Sequence, residues 1–234
     1  MTNCPTLRIL STDAPKAGVR RCVTAFTAET GQAVDIDLAP APIIKERITS
    51  GGEKPDIIVA TLSVLNEFAD AGFANPESIS PIGSVAVGVV VRNDAPEPDL
   101  SSVERFAEAV LAADAIVYNK ASSGLYIAQM FDKIGVAGII ADKITVVPNG
   151  AAVMEFLVDK APLNAIGFGH ITEIRLHDNL GTHLVGPLPE AIGRQTVYAV
   201  GLHTAAAMPD AARALIARMV SAKGTADFVA SGVV

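Results

Sequence analysis

Three short polar clusters carry the chemistry of an anion receptor. Ser11, Thr12 and Asp13 follow the apolar run LRIL at 7–10 and precede a helical pattern. Hydroxyls and free N–H groups at a helix start can face a carboxylate, although the same three residues also read as simple N-caps. Ser122, Ser123 and Gly124 repeat the arrangement after AIVYN at 115–119, and Asn149 with Gly150 offers a third helix start, where Gly150 also reads as a plain turn residue. Lys16 falls in the first turn after Asp13, where a cation opposes the helix dipole; a solvated surface lysine is its plainer reading. His170 follows the Gly167-Phe168-Gly169 string, and histidine trades protons near neutral pH. His170, Lys16 and Asp13 are therefore the candidate bases, with a hydrogen-bonded loop histidine as the plain alternative for His170.

Elements that position these clusters follow from periodicity. Apolar runs at 7–10, 33–39 and 56–61 alternate with helical patterns near 15–29, 43–50 and 62–71, a βαβαβα order that predicts a parallel sheet covered by helices. Ligands of such sheets bind at the carboxyl ends of the strands, here the loops beginning at Ser11, Ala39 and Thr61. The run from Ile79 to Arg92 predicts a buried strand leaving one lobe for another, and TVYAVGLHT at 196–204 predicts the return. Helices near 101–112, 122–134 and 150–159 alternate with strands at 115–119, 144–147 and 164–169 in the second lobe. The expected lobes are 1–82 with 198–234, and 83–197, joined as a hinge.

Several strings resemble the molybdate-binding family of solute-binding proteins across nearly the whole chain: PDIIVATLSVLNEFADAGFA, SSGLYIAQMFDKIGV and PDAARALIARMVSAKGTADFVASGVV. The resemblance implies a two-lobed α/β protein of the type II periplasmic-binding fold, with a ligand cleft between lobes joined by two crossover strands. It also implies that the second strand-end loop faces the ligand, where the family has paired serines and this chain has Pro40 and Ala41. The family's ligand-facing tyrosine corresponds to Phe168. Loss of those hydroxyls leaves a bare oxyanion such as molybdate under-coordinated. SSGLYIAQM and VGPLPEAIGRQTVYA resemble the branch that includes aconitate isomerase.

Composition sets the outer bounds. Eighteen basic residues against 25 acidic ones give a net charge of −7 without a Lys/Arg cluster, which argues against nucleic acid as a partner. SVAVGVVV is too short to span a membrane, so no membrane insertion is expected. Cys4 and Cys22 lack metal-ligand spacing, and Cys22 is expected as a small hydrophobe within the first helix. Neither the dinucleotide nor the phosphate-loop glycine pattern is present, and no cofactor is expected. MTNCPTLRIL carries no export pattern, so a cytoplasmic protein is expected, or a periplasmic one if a leader has been removed. Together with the resemblance to the aconitate-isomerase branch, these residues imply a cofactor-independent isomerase of a small unsaturated di- or tricarboxylate such as aconitate, with a non-catalytic carrier of a small oxyanion or carboxylate as the alternative. Its expected partner is one small anionic organic molecule.

Overall fold

Alternation along the first strands decides which helices cover them. The structure, a computed structural model, describes residues 5–234, so Cys4 lies outside the described residues. The chain divides into two units: a first formed by residues up to Val85 together with Thr196–Val234, and a second formed by Ala86–Gln195.

The first unit begins β1 (Leu7–Ser11), α1 (Lys16–Thr30), β2 (Val34–Leu38), α2 (Ala41–Thr49), β3 (Ile57–Thr61) and α3 (Leu62–Asp70). Strand β1 lies between β2 and β3 and is parallel to both, so Ser11, Leu38 and Thr61 end at one edge. Ile57 and Val59 turn into one core with Leu7 and Ile9, whereas Ile58 and Ala60 turn into another with Leu10. Helix α1 buries Val19, Cys22, Val23 and Phe26, the i, i+3, i+4, i+7 spacing of a single apolar face. Cys22 is fully buried, and burial together with the charge of Asp227 pushes its thiol up to about 12. It is a packed, unreactive thiol at neutral pH.

Strand β4 (Ser80–Arg92) carries the chain into the second unit, where α4 (Val103–Ala112), β5 (Ala115–Asn119), α5 (Ser122–Lys133), α6 (Ala137–Ile140), β6 (Ile144–Val147), α7 (Gly150–Asp159), β7 (Ala165–His170), α8 (Ile171–Leu176) and β8 (Thr182–Pro187) follow. Parallel strands β6, β5 and β7 end at one edge, and β7 is antiparallel to β4. Ile116, Tyr118, Ile166 and Phe168 pack on the side of α4 and α5, while Val117 and Ala165 pack on the side of α7. Strand β8, which alternation alone does not reveal in HLVGPLP, pairs antiparallel with β4.

Strand β9 (Gln195–Leu202) returns the chain to the first unit, antiparallel to β3, and α9 (Pro209–Val220) and α10 (Ala222–Val229) complete the core over α1. Pro209 occupies the first turn of α9, where its missing N–H costs nothing. Among the described residues no single helix is long and apolar enough to cross a membrane.

Candidate functional site

In the first unit the three parallel strands deliver Ser11, Thr12 and Asp13 to the edge where Thr61 also ends. The capping alternative for these residues is not realised: α1 is preceded by Pro15, and no side chain caps it. Ser11 is fully buried and its hydroxyl donates to the Thr12 carbonyl at 2.9 Å. Thr12, also buried, takes its backbone N–H to the Val59 carbonyl at 2.9 Å, which fixes the loop against β3. Asp13 is the outer member, with its side chain 55% exposed and 3.7 Å from the Lys16 ammonium. Lys16 corrects the surface reading, because its side chain is only 16% exposed and lies along the loop. Burial of an alkyl stem beside a carboxylate offsets the helix-dipole penalty at that position. Pro40 precedes α2 as an exposed residue, and Ala41 opens the helix. Thr61, at the strand end the sequence points to, joins its hydroxyl to that of Ser63 at 3.0 Å at the start of α3.

In the second unit Asn119 ends β5 and organises the next loop. Its side-chain oxygen accepts from the Ala121 N–H at 2.9 Å, and its amide donates to the Ser123 hydroxyl at 3.2 Å. Both side chains are buried. Gly124 follows, where a Cβ would lie 1.5 Å from the Asn119 carbonyl oxygen. Only glycine lets α5 start this close to the strand it follows. Ser122 is the first residue of that helix.

The α7 terminus is closed by the chain itself. Asn149 caps it by accepting from the Ala152 N–H at 2.9 Å. Gly150 is not a turn glycine: a Cβ there would lie 2.3 Å from Cγ of Glu173, so its bareness admits the Glu173 side chain against the helix start. A carboxylate side chain therefore packs beside this positive helix end. Asn149 thus caps this helix start, and the bareness of Gly150 makes room for Glu173.

Phe168 corrects the ligand-facing expectation in the same way. It is fully buried, edge-on to Phe106 at 6.0 Å and to Phe131 at 5.5 Å between ring centroids. Its place is the center of the apolar core. His170, two residues on, shares its side of the strand and stands at the strand's last position rather than in a loop. Burial, reinforced by the positive charge of Arg194, lowers its pKa to about 4. The imidazole is neutral at physiological pH.

Arg194 and Tyr126 complete the group and were not singled out by spacing. The Val87 N–H donates to the Arg194 carbonyl at 3.3 Å, and Val87 is also the β4 partner of His170. The Arg194 guanidinium lies 5.3 Å from the centroid of the Tyr126 ring. The Tyr126 hydroxyl donates to the Ile192 carbonyl at 2.6 Å, which ties helix α5 to the loop that carries Arg194. The signal available beforehand was a lone arginine in GRQTVYA, whose setting depends on contacts between residues 66 positions apart.

Known proteins share this scaffold. The chain is 25% identical over 222 residues to an aconitate isomerase from a Pseudomonas species, covering 92% of this chain and 82% of that one. The Azotobacter vinelandii periplasmic molybdate-binding protein superposes with a TM-score of 0.77 at 16% identity, covering 97% of this chain and 98% of its own. PEB3 from Campylobacter jejuni superposes with a TM-score of 0.69 at 14% identity, covering 97% and 98%. These structural likenesses establish the type II periplasmic-binding fold. The profile of one family matches residues 7–234, essentially the full described chain, and the protein belongs to the bacterial extracellular solute-binding proteins.

Proposed function

We propose that this protein is a cofactor-independent isomerase of a small unsaturated di- or tricarboxylate, with aconitate the leading substrate. The observation that carries the reading is a neutral, part-buried His170 at a strand end beside the cationic Arg194. The similarity to an aconitate isomerase over most of the chain supports the substrate class. In the proposed reaction His170 removes a proton from the methylene carbon next to the double bond. The electron pair delocalises into the adjacent carboxylate and alkene, and the same proton carrier returns a proton to the allyl system. The double bond thereby shifts or changes geometry, with no net change in composition. A neutral imidazole is required to accept the proton, and a bound carboxylate offsets the Arg194 charge, which raises the imidazole's basicity when substrate is present.

Within the first unit the buried Ser11–Thr12 loop, Asp13 and Lys16 are the proposed contacts, with Lys16 and Asp13 the other candidate proton carriers. Pro40 and Ala41 are proposed at its margin. Within the second unit Ser122 and Ser123 at the α5 start join His170, and Gly124 acts by fixing that start.

A second reading is favoured by the family itself: a non-catalytic carrier of a small oxyanion or carboxylate, working outside the cytoplasm, in which His170 only contacts its ligand. Purified protein incubated with cis- and trans-aconitate in heavy water separates the two. Interconversion with deuterium appearing at the methylene position supports catalysis. Tight binding of either acid, or of molybdate, with neither exchange nor interconversion leaves the carrier.

A further inference from the structure

The second unit holds one cation in an unusual setting. Arg8, Arg47, Arg92 and Arg218 each pair with a carboxylate. Arg194, like Arg20, Arg21 and Arg175, has no ion pair among the described residues, but it is exposed and, unlike them, rests on an aromatic face. A guanidinium that lies on a ring is held by its face, and its N–H edges remain directed elsewhere. Those edges form the planar fork that matches the two oxygens of a carboxylate.

The shelf is itself braced. Tyr126 lies one helical turn after Ser122 on α5, and its hydroxyl is tied to the Ile192 carbonyl at 2.6 Å, two residues before Arg194. Ring, loop and cation are thus linked within a few residues. The backbone of Arg194 adjoins Val87, whose other neighbour across the sheet is His170. An uncompensated arginine, an aromatic support and a neutral imidazole are gathered at the edge where β5 and β7 end.

We propose that Arg194 receives a carboxylate of the ligand as a specificity-determining residue, and that Tyr126 is the positioning residue that holds the guanidinium edge-out for it. The assignment rests on the carboxylate reading given above. It commits the second unit to a planar two-oxygen anion, and it makes ligands with several carboxylates better than those with one.

Calorimetric titration with propane-1,2,3-tricarboxylate, an unreactive saturated analogue, tests the assignment, with acetate as the single-carboxylate control. Arg194→Gln is expected to weaken the tricarboxylate by about ten- to a hundredfold. Arg194→Lys, which keeps charge but loses the fork, is expected to fall between it and the wild type. Tyr126→Leu is expected to weaken binding about tenfold, and Tyr126→Phe to restore most of it. Because Arg194 is exposed, melting temperatures of its variants are expected to match the wild type. In Arg194→Gln the His170 resonances are expected to titrate at higher pH than in the wild type, because a nearby positive charge is removed. Wild-type binding of the tricarboxylate with Arg194→Gln within twofold overturns the assignment and leaves the carboxylate reading standing. A wild-type chain that binds neither aconitate nor the saturated analogue overturns that reading, and the assignment with it.

Discussion

Gly124 and Asn119 approach so closely that a methyl group on the glycine would lie 1.5 Å from the Asn119 carbonyl oxygen. The obstacle is backbone, which cannot rotate away as a side chain can. Gly124→Ala therefore has to displace the α5 start, and with it the Asn119–Ser123 hydrogen bond of 3.2 Å. We expect a loss of about 3 kcal/mol in chemical denaturation, near the upper end for overpacking a close contact. Ligand affinity should fall together with stability.

His170→Asn separates chemistry from folding. The side chain stays polar and of similar reach, so the thermal midpoint at pH 7 is expected to move little. Turnover of aconitate is expected to fall by about 10²- to 10⁴-fold, the usual worth of a positioned proton carrier. In the free protein His170 loses its proton near pH 4. The acid limb of kcat/KM should lie there rather than near 6.5, because that parameter reports the free enzyme. An acid limb near 6.5 would assign the base to another group.

Acid should destabilise the fold through its buried imidazoles. His203 is 3% exposed, accepts from the Ala205 N–H at Nδ1 at 2.9 Å, and leaves Nε2 without a partner. Burial, then the charge of Lys54, depresses its pKa, against an opposing effect from Asp56. His170 is depressed to about 4. In both cases the unfolded chain binds the proton more readily than the folded one. Stability is full above about pH 6.5 and is lost as pH falls through that value toward the folded pKa. For His170 the loss by pH 4 is at most about 3 kcal/mol, reduced by its partial exposure. His203→Asn keeps an acceptor for the Ala205 N–H and removes the ionisation. Its urea midpoint should vary less between pH 7.5 and 4.5 than the wild type's.

Phe168→Tyr asks whether a tyrosine at this point of the sequence suffices to hold an oxyanion. The new hydroxyl would enter a core formed by Phe106 and Phe131. We expect about 1–3 kcal/mol of destabilisation from a buried unpaired hydroxyl, and no gain in molybdate binding by calorimetry.

Particular residues show why the fold was more legible than the site. Val19, Cys22, Val23 and Phe26 announce α1 by spacing alone, and Ile57–Thr61 announces a strand buried on both faces by its unbroken apolar run. Such patterns are local, and periodicity reports them. Strand β8 is hidden in the sequence because its glycine and its closing proline mask an edge position beside β4. Site residues depend on distant partners. Ser11 and His170, proposed here as site residues, are legible from their place at strand ends and Ser123 from the helix start after β5, whereas the packing of Glu173 against the α7 start depends on α8 folding back over Gly150. Arg194 acquired its setting from a ring 68 positions earlier, which no window of sequence contains. Phe168 misled because its position in a string does not say which way its side chain turns.

The division of the chain also dictates an order of assembly. Helix α1 is made early, yet the residues that cover its apolar face, among them Leu215, Met219 and Phe228, come from the last segment. Between them lies the whole of Ala86–Gln195, a continuous stretch with its own core. At ordinary rates of synthesis the ribosome spends on the order of ten seconds on that stretch. The inserted unit can therefore complete itself first, while Val19, Val23 and Phe26 wait uncovered, a surface suited to capture by chaperones until the carboxyl-terminal helices emerge.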